Sequence, residues 1–98
     1  MKIEVGKVMT FKLMSGEEII AKVIEVTYNG YILENVLSTA PTQQGLQLVP
    51  TLFTTELDNV ISVYSHAISM VSMPRSDVAD AYRESTTGIK VPEKQILM

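Results

Sequence analysis

The single histidine of this 98-residue chain lies in the run Tyr64-Ser65-His66-Ala67-Ile68-Ser69, and histidine is the side chain best suited to proton transfer or metal ligation near neutral pH. With no cysteine anywhere, one histidine cannot complete the usual metal shell unless symmetry-related copies contribute one each. Ser65-His66 with Asp58 nearby supplies the residue types of a hydrolytic triad. Adjacent residues on a strand point to opposite faces, however, and cannot readily share a proton. Glu17-Glu18 reads as solvated turn charge, because a paired-carboxylate acid-base site needs a pocket that moves its pKa values. His66 is left as a corner residue bonded to a neighbouring carbonyl or as a contact to a ligand. Neither enzymatic activity nor a cofactor is expected.

The elements that must position this corner are β-strands. Val8 to Met14 alternates with a period of two, which predicts a strand with one buried face, and Ser15-Gly16-Glu17 supplies the turn after it. Glu18 to Thr27 is dense in β-branched residues, with the small Ala21 at mid-strand where a sheet can bend sharply. Tyr28-Asn29-Gly30 is a hairpin turn of Asn-Gly type, so a third strand begins at Tyr31 and runs through Leu37. Ala40 to Gly45 reads as a loop. The apolar run Leu46, Leu48, Val49, Phe53 is interrupted by Pro50, which confines it to a sheet edge or a bulge. Thr54 to Asn59 is a polar turn. Val60 to Tyr64 and Ala67 to Met73 read as two short strands that meet at Ser65-His66 and close a barrel. After Pro74, Ser76 caps a helix running to about Glu84 within residues 75–86, with Asp77 in its first turn and Val78, Ala81 and Tyr82 on one face. Residues 87–98 form a tail that docks on a neighbour or moves freely.

Composition bounds what these elements can do. The chain is one domain, and its 46% apolar and 19% charged residues suit a folded body rather than a disordered one. Residues 1–58 hold four lysines against seven acids, a balance of 4 − 7 = −3, and residues 59–98 balance four against four. No cluster of Lys or Arg appears, and such clusters are what neutralise nucleic-acid phosphates. The absence of cysteine, of an apolar leader and of a membrane-length segment predicts a cytoplasmic protein with no membrane partner.

Two stretches carry a resemblance. Leu13-Met14-Ser15-Gly16-Glu17-Glu18-Ile19-Ile20-Ala21-Lys22-Val23 resembles the first motif of the Sm-like ring proteins, with Ala21 where Gly is common. Val63-Tyr64-Ser65-His66-Ala67-Ile68-Ser69-Met70-Val71 resembles the second, in the form carried by the RNA-chaperone branch, Hfq. Together they cover about Val8 to Met73. The short N-terminal segment leaves no room for the family's usual helix, and Ser38 to Asn59 is long enough for an extended hairpin. With the added C-terminal helix, these features look similar to the Sm-like proteins of tailed phages, including those of cyanobacteria; for a phage-encoded chain the compartment is the host cytoplasm.

The resemblance implies an all-β fold: one domain over residues 1–98, with a strongly bent five-stranded antiparallel barrel at 8–73, an extended strand-three to strand-four hairpin, and a short C-terminal helix. It also implies a non-catalytic homo-oligomeric ring of roughly five to seven subunits that binds or scaffolds a partner. A barrel left open at its two edge strands invites a second copy to pair there. Val60, Val63, Ile68, Met70 and Val71 are the expected subunit contacts, because the last strand is apolar on both faces. The neighbouring subunit or the C-terminal helix would provide the second cover. A protein partner would engage the 38–59 hairpin or the tail. In RNA-binding relatives an aromatic residue stacks a uracil and a Lys-His pair holds it at the pore. Here Tyr31 matches the stacker and His66 the histidine, while Ser65 replaces the lysine and Gly30, next to Asn29, replaces a glutamine. The alternative function is therefore weak single-stranded RNA binding from which the cation is missing.

Overall fold

The computed structural model describes residues 3–87. Its elements are β1 (Val8–Leu13), β2 (Glu18–Thr27), β3 (Gly30–Thr42), β4 (Gly45–Pro50), β5 (Val60–Tyr64), a single turn of 3₁₀ helix (Ser65–Ala67), β6 (Ile68–Ser72) and α1 (Ser76–Thr86). All strand pairs are antiparallel, in the order β4-β3-β2-β1-β6, with β5 joined to the other end of β3. Five strands make the bent body, and β4 is the returning arm of the extended hairpin. Of the expected tail, residues 87–98, only Thr87, which follows α1, is described; residues 88–98 lie outside the described residues.

A bulge makes the sheet bend. Ile20 pairs with Leu37 and Lys22 with Glu34, so Asn35 and Val36 together oppose Ala21. Asn35 takes up the extra residue with φ of 53°, in the left-handed region that Asn tolerates better than most side chains. The insertion shifts the alternation, so that Leu33 and Val36 both face inward although they are three residues apart. Ala21 is fully buried at the bend, as a small mid-strand side chain should be.

Two apolar cores result. The first fills the concave side with Met9, Phe11, Ile19, Ala21, Val23, Leu33 and Val36. The second lies on the opposite face, where Ala81 and Tyr82 of α1, with Val78 beside them, pack over Ile20, Leu37 and Leu48. Tyr82 donates its hydroxyl to the carbonyls of Glu34 and Asn35, at 3.2 and 2.9 Å. The helix is thus anchored on the bulge.

Several expectations are corrected. The segment Ala40 to Gly45 is not a loop: β3 continues through Pro41 to Thr42. The turn is only Gln43-Gln44, closed by Thr42 Oγ1, which donates to the Gly45 carbonyl at 2.7 Å and accepts from Gln44 N–H at 3.1 Å. Pro41 is tolerated because this part of the hairpin extends past β2, whose pairing with β3 stops at Ser38. Pro50 ends β4 on a sheet edge, as expected, but it leaves Phe53 outside any strand. The sheet does not close at Ser65-His66, because the 3₁₀ turn carries the chain from a β3 partner to a β1 partner and β5 and β6 do not pair with each other. Ser76 is the first helical residue rather than the cap: Arg75, in extended conformation, holds the cap position without a side-chain bond. Asp77 accepts the Val78 N–H at 2.9 Å and a two-pronged contact from Arg75 at 3.0 and 3.1 Å.

Candidate functional site

The corner between β5 and β6 is fixed by the two tight turns of the body. Ser65 N–H donates to the Asn29 carbonyl of the β2–β3 turn at 2.9 Å, and Met14 N–H of the β1–β2 turn donates to the Ala67 carbonyl at 2.7 Å. Gly30 allows the first of these approaches: it is the Cα partner of Tyr64, and a Cβ there would run into the Val63 carbonyl and lie 2.9 Å from the Tyr64 Cα. A glutamine at this position, as the resemblance suggested, would push β5 off the sheet. Gly30 is therefore a structural requirement of the corner, whatever the corner binds.

Strand β5 alternates cleanly. Ile61 and Val63 lean on the first core, while Val60, Ser62 and Tyr64 face outward. On β6 a bulge at Ser69, whose hydroxyl donates to the Lys12 carbonyl at 3.2 Å, keeps Ile68 and Val71 inward and turns Met70 out beside Lys12. Val60 is 57%, Tyr64 56% and Met70 66% exposed. Of the five residues assigned to a subunit contact, Val60 and Met70 are thus free at the surface, and Val63, Ile68 and Val71 are half-buried against the first core. Helix α1 packs over β2, β3 and β4 instead of β6, so the second cover for Met70 does not come from that helix.

His66 is exposed, and its ring stacks on Tyr64, with centroids 5.7 Å apart and planes 10° from parallel. The ring is engaged by an aromatic face rather than by the carbonyl anticipated for a corner histidine. Among the described residues no hydrogen bond joins His66 to Ser65 or Asp58, and no group of three or more His, Cys, Asp or Glu side chains is arranged to hold a metal ion. Tyr31 is half-buried and its ring tilts against Phe11 at 6.1 Å. The structure therefore gathers Asn29, Gly30, Ser65 and His66 at one end of the sheet, but turns the Tyr31 ring toward the core and offers Tyr64 as the exposed aromatic partner of His66.

Two features escaped the sequence reading. The Tyr64–His66 pair was discernible in principle, because positions i and i+2 share a face on a strand, but the turn between them hid the spacing. The second is a polar clamp on Ser38, a buried residue in β3. Its hydroxyl donates to the Glu17 carboxylate, so the Thr51 hydroxyl, 3.0 Å away, must donate to Ser38. This clamp ties the β1–β2 turn to the end of β4. Nothing in the sequence links residues this far apart.

No helix among the described residues is long and apolar enough to cross a membrane. No protein-family model matches the chain, and no curated protein matches it in sequence.

Proposed function

We propose that this protein is a non-catalytic, Sm-like building block that assembles head to tail into a homo-oligomeric ring and serves as a binding or scaffolding module, of the kind carried by tailed phages. The observation that carries this reading is the contrast between sheet edges. Edge β4 ends on Pro50, a residue that blunts strand addition. Edges β5 and β6, Val-Ile-Ser-Val-Tyr and Ile-Ser-Met-Val-Ser, contain neither charge nor proline, and each has one strand neighbour only. Unprotected edges with exposed Val60, Tyr64 and Met70 are templates for another copy. Because the two edges differ, pairing β5 of one copy with β6 of the next is heterologous, and it closes a ring when the rotation per step is right.

Light scattering tests the assembly. A mass of several chains that persists on dilution to the micromolar range is expected; a monomeric mass over the whole accessible concentration range refutes the reading.

One observation favours a second reading, weak binding of single-stranded RNA. The stacked Tyr64–His66 pair is exposed, and an aromatic face contributes about 1–3 kcal/mol per stacked base. Against it stand the acidic balance of residues 1–58 and Ser65 where the phosphate-binding cation would be. Fluorescence anisotropy with oligouridylate at low salt separates the two. Binding in the micromolar range that is lost in Tyr64→Ala or His66→Ala supports RNA recognition, and no signal at high protein concentration eliminates it.

A further inference from the structure

The segment between β4 and β5 presents Phe53, which is 84% exposed, with Leu52 exposed beside it. The loop that presents them is pinned at both ends. At one end Thr51 N–H donates to the Val36 carbonyl at 3.3 Å and the Thr51 hydroxyl meets Ser38 at 3.0 Å. At the other end Asn59 N–H donates to the Glu56 carbonyl at 3.1 Å, and Leu57 is packed into the second core alongside Val78 of α1. A large aromatic held out to water on a fixed base is the usual form of an anchor at a protein contact.

We infer that Leu52 and Phe53 form a latch between copies, seating on Met73 and the β6–α1 junction of the adjacent subunit. The inference rests on the edge-pairing reading above and deepens it by naming a second contact. Strands β5 and β6 are the same length, five residues each, and every pair in the sheet is antiparallel. If β5 of one copy adds to β6 of the next in the same sense, Val60 falls opposite the end of β6. The residues that precede Val60 then lie beside those that follow Ser72. On one side these are the loop carrying Leu52, Phe53, Glu56 and Asp58. On the other they are Met73, 54% exposed, half-buried Pro74, and Arg75. The contact would bring phenyl against thioether, a favourable sulfur–aromatic arrangement, while Arg75 stays paired with its own Asp77. A second copy is the occupant best matched to the patch, because the same strand pairing that joins the edges also delivers the complementary surface.

The test uses the full chain and sedimentation across a concentration series, with Phe53→Ser, Met73→Ser and the double variant. Each single substitution is expected to raise the midpoint concentration for assembly about tenfold, in keeping with the loss of one buried anchor. The double variant should be little worse than either single one, because both remove the same contact. Both side chains are exposed in the monomer, so circular dichroism and the thermal midpoint measured below the assembly concentration should not change. If the wild type assembles and Phe53→Ser leaves the midpoint within twofold, the latch is overturned and edge pairing stands. If the wild type never assembles, edge pairing fails and the latch fails with it. Additive rather than coupled losses in the double variant would also overturn the direct contact.

Discussion

The body of the sheet and its rim are built from similar residues but to different standards. In β1, β2 and the first half of β3, each strand has a neighbour on both sides over part of its length, and Met9, Phe11, Ile19, Ile20, Ala21, Val23 and Leu33 are all sealed from water. From Val60 to Ser72 no residue is buried, each strand has one neighbour, and the apolar content is just as high. A sheet that had evolved only to be a stable monomer would place its polar residues at the rim and its aliphatic ones in the body. The rim here keeps aliphatic and aromatic side chains in the open, at an unblocked edge, and this contrast is what supports the assembly proposed for the chain.

The comparison breaks first at Phe11. Its side chain is fully buried in the first core and touches Tyr31, so Phe11→Ala should destabilise the monomer by about 3–5 kcal/mol, enough to unfold a domain of this size. Urea denaturation below the assembly concentration measures it. A loss under about 1 kcal/mol would mean that the body is no better packed than the rim, and the contrast drawn above would vanish.

Tyr82 tests the other side of the sheet with a smaller effect. Tyr82→Phe keeps the ring in the second core and removes only the hydroxyl that bonds Glu34 and Asn35, so about 1 kcal/mol should be lost. The hydroxyl also gives a pH signature. Burial, the main cause, raises its pKa far above the ordinary tyrosine value, while a backbone hydrogen bond opposes this and the Glu34 charge adds to it. Because the folded chain holds this proton more tightly than the unfolded chain, the stabilisation is intact below the unfolded value near 10 and is lost as pH rises through the folded value. Wild type should therefore lose stability above about pH 10 more steeply than Tyr82→Phe, measured as urea midpoints against pH. Parallel curves for the two chains would show that the helix is not anchored through this group.

How much of this could be read from the chain follows the same division. The body was legible because it obeys local rules. The Gly16 turn, the Asn29-Gly30 hairpin and the small Ala21 at the bend each have a short-range cause, and each lies where the pattern put it. What was hidden depends on contacts between distant residues. Pro41 reads as a loop residue until one sees that the hairpin there has outrun β2. Ser76 reads as a cap until Arg75 takes the extended conformation ahead of it. Tyr31 matches a base stacker only through the resemblance, while as a strand aromatic it suits a barrel face equally well, and its tilt against Phe11 turns the ring toward the core. Phe53 reads as the end of an edge-strand run because its type is apolar, and Pro50, by ending β4, leaves it outside the sheet and in water.

The smallest effect on the folded monomer is also the sharpest probe of the rim. Met70 lies opposite Lys12 on the outer face of β6, largely exposed, so Met70→Lys neither opens a cavity nor buries a charge, and the monomer should keep its stability within about 0.5 kcal/mol. The introduced ammonium would, however, stand beside Lys12 on an edge that otherwise carries no charge, repeating the device by which proteins block strand addition. Assembly measured by light scattering should fall at least tenfold in apparent affinity, roughly 1.4 kcal/mol, or disappear, although nothing inside the subunit has changed. A variant that assembles as well as the wild type would move the contact away from β6. The exposed methionine would then be an ordinary surface residue, and the openness of the rim would need a cause other than a second copy.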